Sequence, residues 1–191
     1  MLVDAFYQSD VYPLESPIRA ILPVRPTLSK QLHLTMAKEI ERKFLVADDS
    51  WRSGSPGCRY IQGYLSRDPE RMVRVRQAGT SAFITIKGIT RGTTRQEFEY
   101  PIPLSDAEAL MKLCLRPLIE KTRYVVEYRG KRWEVDEFHG DNEGLVLAEI
   151  ELARDDEPVD VPPWIGEEVS HDARYFNTNL VEHPYTRWNI K

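Results

Sequence analysis

With 191 residues, of which 41% are hydrophobic and 29% charged, the chain can build a packed core and is not disordered throughout, and one domain is the default at this length. A formal net charge of −4 argues against a binder of duplex nucleic acid that works through a basic surface, and no apolar run approaches the ~20 residues that span a bilayer. Cys58 and Cys114, the only cysteines, form no CxxC, which disfavours a disulfide framework or a thiolate zinc site and points to a soluble protein of a reducing, cytoplasmic compartment.

In chain order, residues 1–36 carry Pro13, Pro17, Pro23 and Pro26 without sustained periodicity. They are expected to form a loosely ordered extension. They resemble neither a secretory signal nor an acid-poor transit peptide, since Asp4, Asp10 and Glu15 interrupt them. Strong patterning begins just after Met36, so the expected domain is residues 37–191. Met36 is then a candidate natural start, with the stretch before it a dispensable tail or a gene-model artefact.

From Lys38 onward the period is two, that of a strand. Glu39-Ile40-Glu41-Arg42-Lys43-Phe44 alternates charged and mostly apolar positions. Arg74-Val75-Arg76, Thr85-Ile86-Lys87 and Glu97-Phe98-Glu99 do the same, as do Lys121-Thr122-Arg123, Glu134-Val135-Asp136 and Glu149-Ile150-Glu151. Gly88, Gly92, Gly130, Gly140 and Gly144 punctuate the runs as turn residues. Ser105-Asp106-Ala107-Glu108 reads as a capping box that opens a helix, with Leu110, Met111, Leu113 and Cys114 on its apolar side and Pro117 at its end. A second helix is expected from Pro163 to about Val169, with proline in its first turn, and a third from Ala173 to Leu180. The sum is an α+β, mainly β chain of antiparallel strands with attached helices.

Residues i and i+2 of a strand share a face. Each run therefore sets two polar or ionised groups on one face and apolar residues on the other. A sheet with one face in water would do this too. But acids pair with acids and bases with bases, and like charges two residues apart repel, so a merely solvated face gains nothing from the segregation. A concave sheet with the charged face inward accounts for it. Acidic pairs would hold a hard divalent cation through oxygen, and basic pairs a polyanion. Phosphate chains with Mg²⁺ or Mn²⁺ satisfy both demands.

Glu39-x-Glu41-x-Lys43 resembles the ExExK signature of the CYTH superfamily, the triphosphate tunnel metalloenzymes. The order that follows makes the resemblance specific: Arg74-x-Arg76, Thr85-x-Lys87, Glu97-x-Glu99, Glu120-Lys121-x-Arg123, Asp136 and Glu149-x-Glu151. The tail from Gly166-Glu167-Glu168-Val169 to Asp172-x-Arg174-Tyr175-x-Asn177 is similar to small stand-alone bacterial members. The resemblance implies an eight-stranded antiparallel closed barrel, with flanking helices, around a tunnel for a triphosphate-containing small molecule. It implies a metal-dependent triphosphatase that splits inorganic tripolyphosphate into phosphate and pyrophosphate. An adenylate cyclase or thiamine triphosphatase of the same fold, and a polyphosphate-binding module without turnover, remain alternatives, and the oligomeric state stays open between monomer and homodimer.

By the same resemblance Glu39, Glu41, Glu149 and Glu151 are metal ligands, with Glu99 and Asp136 as a second tier and Glu97 and Glu134 as outer partners or wall charges. Lys43, Arg74, Arg76, Lys87 and Arg123 clamp the phosphates. Lys121 and Tyr64 match a lysine–tyrosine pair that activates water, although unperturbed groups of both types titrate near ~10 and need a shifted environment to act as bases. A metal-lowered water pKa is the competing explanation. Arg174, Tyr175 and Asn177 belong to a terminal helix that closes or flanks the tunnel. Asp172 and His171 are assigned to the surface or a helix cap. The sequence contains no P-loop or Rossmann fingerprint.

Overall fold

The computed structural model describes residues 40–52, 54, 56–91, 94–154 and 156–188. The expected extension, and Glu39 with it, lie outside these residues. Nine strands and two helices follow in order: β1 (Ile40–Val46), β2 (Cys58–Ser66), β3 (Arg71–Ala78), β4 (Ser81–Arg91), β5 (Thr94–Ile102), α1 (Leu104–Met111), β6 (Ile119–Tyr128), β7 (Lys131–His139), β8 (Val146–Leu152), β9 (Ile165–Glu168) and α2 (Asn177–Glu182). Each charged alternation within the described residues falls on one of the first eight strands.

The strands form one antiparallel sheet in the order β5-β4-β3-β2-β6-β7-β8-β1-β9. This corrects the expectation of an eight-stranded closed barrel. Among the described residues no ladder joins β5 to the opposite end. The free edge of β1 is instead taken by β9, through Phe44 opposite Glu168 and Val46 opposite Ile165. Segment 163–169, expected as a helix, is thus a strand at its centre. An unpaired edge offers backbone partners to four extended residues, which a single helical turn could not match. The sheet is nevertheless curled, because side chains from all of β1 to β8 line one cavity.

Hairpins set the register. The β6–β7 turn has two central residues at positive φ, Arg129 at 47° and Gly130 at 74°. That is the two-residue turn whose twist suits paired strands, and it fixes Tyr128 opposite Lys131 and Arg123 opposite Asp136. Gly63 has a different reason to be glycine. A Cβ there would sit 2.6 Å from Leu118 and 2.7 Å from Cys114, so the chain after α1 could not lie flat on β2.

Apolar residues collect mainly on the convex face. Phe44, Trp133, Val135, Ala148 and Ile150 pack there beneath Trp51 and Trp164. Val75 and Ala82 pack beneath Ala107 and Met111 of α1. A third cluster fills one end of the concave face, where Tyr64, Ile119, Phe138 and Leu147 meet Leu180 and Val181 of α2. The concave face is therefore apolar at the α2 end and ionic elsewhere.

Two helix expectations need adjustment. The Ser105 capping box does not form. Helix α1 starts two residues earlier, Pro103 stands at the cap without a side-chain bond, and Ser105 Oγ turns to Asp106. The Pro103 carbonyl accepts from both Asp106 and Ala107, so the first turn closes on the backbone alone. The predicted helix over 173–180 is divided into a 3-10 turn at Ala173–Tyr175, capped by the Asp172 carboxylate, and α2.

Candidate functional site

A cavity of about 660 Å³ lies on the concave face. Glu41 and Lys43 reach it from β1, Tyr60 and Gln62 from β2, Arg74 and Arg76 from β3, and Lys87 from β4. Glu97 and Glu99 enter from β5, Lys121 and Arg123 from β6, Arg132 and Glu134 from β7, Glu149 and Glu151 from β8, and Asn177 from α2. Period two explains the convergence, since these are the inward members of alternating strands. Cross-strand register then pairs them: Glu41 faces Glu151, Lys43 faces Glu149, Lys87 faces Glu97 and Arg123 faces Asp136.

On the β1–β6–β7–β8 side the charges form one buried network. Lys43 Nζ donates to Glu149 Oε1 at 2.5 Å and to Glu41 Oε1 at 2.7 Å. Arg123 bridges Asp136, at 2.6 and 2.7 Å, to Glu149 at 2.9 Å, and also pairs with Glu134. Lys121 donates to Asp136. Asp136 is 0% exposed and Lys121 2%. At this depth ions persist only when paired and hydrogen-bonded.

Burial and the neighbouring Glu149 push the Glu41 carboxyl up to about 7, and Lys43 only partly opposes them. Burial also acts upward on Glu149, but Lys43, Lys121 and Arg123 overcome it and hold that carboxylate well below the usual range. The two acids share one donor, the Lys43 ammonium. Burial pushes the Lys121 ammonium down in spite of Asp136. Arg123 moves the other way, because its carboxylate partners outweigh its desolvation.

The β3–β4–β5 side is more open. Glu99 accepts from Arg76 at 3.0 Å, from Arg74 at 3.3 Å and from Thr85 at 2.8 Å, while Lys87 pairs with Glu97 at 2.7 Å. The Nε–H groups of Arg74 and Arg76 are buried, and neither meets an acceptor among the described residues. Burial, then the adjacent Arg74, lowers the Arg76 pKa. Two buried donors without partners on adjacent inward positions match an oxyanion, because guanidinium groups only donate.

Cation chemistry fits a smaller set of residues than the sequence suggests. Among the described residues no three His, Cys, Asp or Glu side chains gather as a metal cluster. Glu41 and Glu149 do converge on one point, since both accept from Lys43 Nζ, and a hard cation can take the place of such an ammonium. Mg²⁺ commonly uses only one or two carboxylates, its shell being completed by water and substrate phosphate. The residues present thus fit one such ion. Glu151 is exposed and lies across from Glu41. Glu99 sits among Arg74 and Arg76, and Asp136 shares the Arg123 guanidinium with Glu149 while also accepting from Lys121.

Of the expected water-activating pair, Lys121 lines the cavity. Tyr64 is buried in the apolar end beside Phe138 and Ile119, with its hydroxyl 3.4 Å from the Gln62 amide nitrogen. Sequence reasoning missed Tyr60, Gln62 and Arg132. The signal for the first two was available, since Tyr60, Gln62 and Tyr64 share one strand parity. The Tyr60 ring lies 5.3 Å from the Arg123 guanidinium and 6.0 Å from that of Arg76, so it spans both sides of the cavity. Arg42 faces away and pairs with Glu168 of β9.

The CYTH domain description matches residues 37–185. An inorganic triphosphatase of Acetivibrio thermocellus is 48% identical over 151 residues, covering 78% of this chain and 97% of that protein. One of Nitrosomonas europaea is 39% identical over 147 residues, covering 74% and 95%. The crystal structure of an inorganic triphosphatase superposes with a TM-score of 0.61 at 37% identity, covering 76% of this chain and 95% of that one. Among the described residues no helix is long and apolar enough to cross a membrane.

Proposed function

The chain belongs to the CYTH domain family, and from that premise we propose that it is a metal-dependent triphosphatase, with residues 37–191 as the working domain. Its substrate is inorganic tripolyphosphate, which it cleaves to phosphate and pyrophosphate. Two full-length relatives bear the name of that activity. The observation that carries the reading is the cavity itself, which is lined by buried arginine donors without partners among the described residues and by the Glu41 and Glu149 carboxylates that share Lys43.

Lys43, Arg74, Arg76, Lys87 and Arg123 bind the phosphate chain. The arginines offer paired donors and the lysines compact charge. Glu41 and Glu149 hold the divalent ion, with Glu151 opposite Glu41 across the β1–β8 ladder. Mg²⁺ or Mn²⁺, when bound, neutralises the charge that develops on the phosphate oxygens. Glu99 is the internal counter-ion of Arg74 and Arg76 and yields them to substrate. Asp136 keeps Lys121 and Arg123 in place.

Lys121 acts as the base that takes a proton from the attacking water. Burial favours its neutral amine, the form a base requires, and Asp136 stabilises the ammonium that forms once the water proton is taken. The water oxygen bonds to a terminal phosphorus as the bridging P–O bond breaks, and the electron pair leaves on pyrophosphate. Tyr64, packed against the residues that flank Lys121, orients it from the apolar end. Positioning and fixed charge supply most of the rate.

Incubating the protein with Mg²⁺ or Mn²⁺ and tripolyphosphate, ATP or thiamine triphosphate, and resolving the products, tests the assignment. Equimolar phosphate and pyrophosphate from tripolyphosphate, lost on chelation, is expected. Cyclic AMP from ATP would overturn the proposed reaction, and saturable tripolyphosphate binding without turnover would reduce the protein to a binding module.

A further inference from the structure

Asn177 is the first residue of α2, and its side chain lines the cavity. Its Oδ1 is buried and has no hydrogen-bond donor among the described residues. A buried acceptor in that state is costly and rare, so a bound species is expected to supply a donor. The lysines of the cavity are engaged elsewhere, Lys43 with Glu41 and Glu149, Lys87 with Glu97, and Lys121 with Asp136, and the unpartnered Nε–H groups of Arg74 and Arg76 lie beyond hydrogen-bond reach of this oxygen. A fully ionised phosphate chain cannot serve either, because it offers only acceptors. The remaining donor in a hydrated cavity is water.

The helix that carries this residue is held firmly. Arg67 Nη1 donates to the Thr178 carbonyl at 3.2 Å and pairs with Glu182 at 3.1 Å. Asn142 Nδ2 donates to the Leu180 carbonyl at 3.4 Å, and Asn179 Nδ2 to the Ala173 carbonyl at 2.6 Å. Leu180 and Val181 are buried in the cluster that contains Tyr64, Ile119 and Phe138. Helix α2 is therefore fixed to the end of the concave face nearest the proposed base, Lys121, which follows Ile119 by two residues on β6.

We propose that Asn177 Oδ1 holds the attacking water of the hydrolysis, an inference that rests on the triphosphatase reading. The amide oxygen accepts one water O–H, which leaves the second O–H for the base and turns an oxygen lone pair toward the terminal phosphorus. The new P–O bond forms from that lone pair, the bridging P–O bond breaks onto pyrophosphate, and the water proton passes to Lys121. Because Asn177 touches the reacting water and not the phosphate chain, it contributes to kcat and not to substrate affinity.

Asn177→Leu and Asn177→Asp in the full chain test this. The readouts are steady-state tripolyphosphate hydrolysis, calorimetric binding of a bridging-imido tripolyphosphate that cannot be cleaved, and thermal unfolding. The Leu variant is expected to lose about 100-fold in kcat, the scale of one orienting contact, with KM and analogue Kd within about twofold. The Asp variant, which keeps an acceptor at the same reach, should recover at least tenfold of that loss. Leucine at unchanged kcat would overturn the proposal, as would a loss confined to KM and Kd, since the amide would then be gripping phosphate through its nitrogen. A kcat loss that simply follows a lowered Tm in both variants would overturn it too. If the parent chain hydrolyses tripolyphosphate and Asn177→Leu does not slow it, only the Asn177 assignment falls. If the parent has no such activity, the triphosphatase reading fails first.

Discussion

The two sides of the cavity use the same residue types to different ends. On β1–β6–β7–β8, Lys43 and Arg123 are locked to Glu149 and Asp136, whose side chains are 9% and 0% exposed. On β3–β4–β5, Arg74, Arg76 and Lys87 meet Glu97 and Glu99, each about one-third exposed, and two guanidinium donors have no partner among the described residues. Depth accounts for the contrast. A deep ion without its counter-ion is strongly destabilising, so the first side tolerates few rearrangements, whereas a shallow pair is worth little and exchanges readily for a ligand. One side is a fixed frame of deep ion pairs, and the other keeps its carboxylates near the surface and two guanidinium donors without partners among the described residues.

Breaking the frame should have the largest effect. Asp136→Asn leaves Lys121 and Arg123 buried without their shared counter-charge, and a loss of about 3–5 kcal/mol in urea-unfolding free energy is expected. Activity should vanish with it. If stability were nearly unchanged, the depth contrast would be wrong.

The open side should respond in affinity instead. Arg76→Ala removes a charge-assisted contact of about 1.5–3 kcal/mol, which corresponds to a KM rise of roughly 10- to 100-fold. Its unfolding free energy should move by less than about 1 kcal/mol. Equal losses from Arg76→Ala and Asp136→Asn in the unfolding assay would erase the distinction between the sides.

Tyr60 touches both sides and sharpens the comparison. Tyr60→Leu deprives Arg123 and Arg76 of an aromatic surface worth about 0.5–2 kcal/mol. A several-fold increase in KM with kcat retained is expected, and Tyr60→Phe should restore the parental value. If Phe behaved like Leu, the hydroxyl rather than the ring would be the active part.

The smallest effect is expected outside the cavity, at the Arg42–Glu168 pair that fastens β9 to β1. Hydrogen bonding to Arg42 lowers the Glu168 pKa from 4.5 to about 2. A depressed carboxylate adds stability above its unfolded pKa and loses it as pH falls through the folded value. The contribution is therefore present above about 4.5 and fades towards 2. Because the pair is largely exposed, Glu168→Gln should cost under about 1 kcal/mol at pH 7, and the difference from the parent should close at pH 2. A gap that persisted at that pH would point to packing of β9 rather than charge.

Strand identity was legible from alternation alone, because period two in charge survives any tertiary arrangement. That is why the inward positions from Glu41 to Glu151 could be named from the sequence. The β9 strand was not legible. Four residues after two prolines carry no decisive period, and Ile165–Glu168 became a strand only because β1 presented an open edge. The absent closure has the same origin, since local patterning does not reveal which edges will find partners.

The sequence by itself determined the composition of the inward face, the signs of its charges and their order along the chain, since side-chain parity is a local property of an extended backbone. Only the tertiary structure decided which of those charges became neighbours and how deep each lies. Glu99 and Asp136 look alike in a strand pattern, yet curvature and register bury one completely and leave the other a third exposed. Depth sets the dielectric, and the dielectric separates a permanent ion pair from one that can be given up to a substrate.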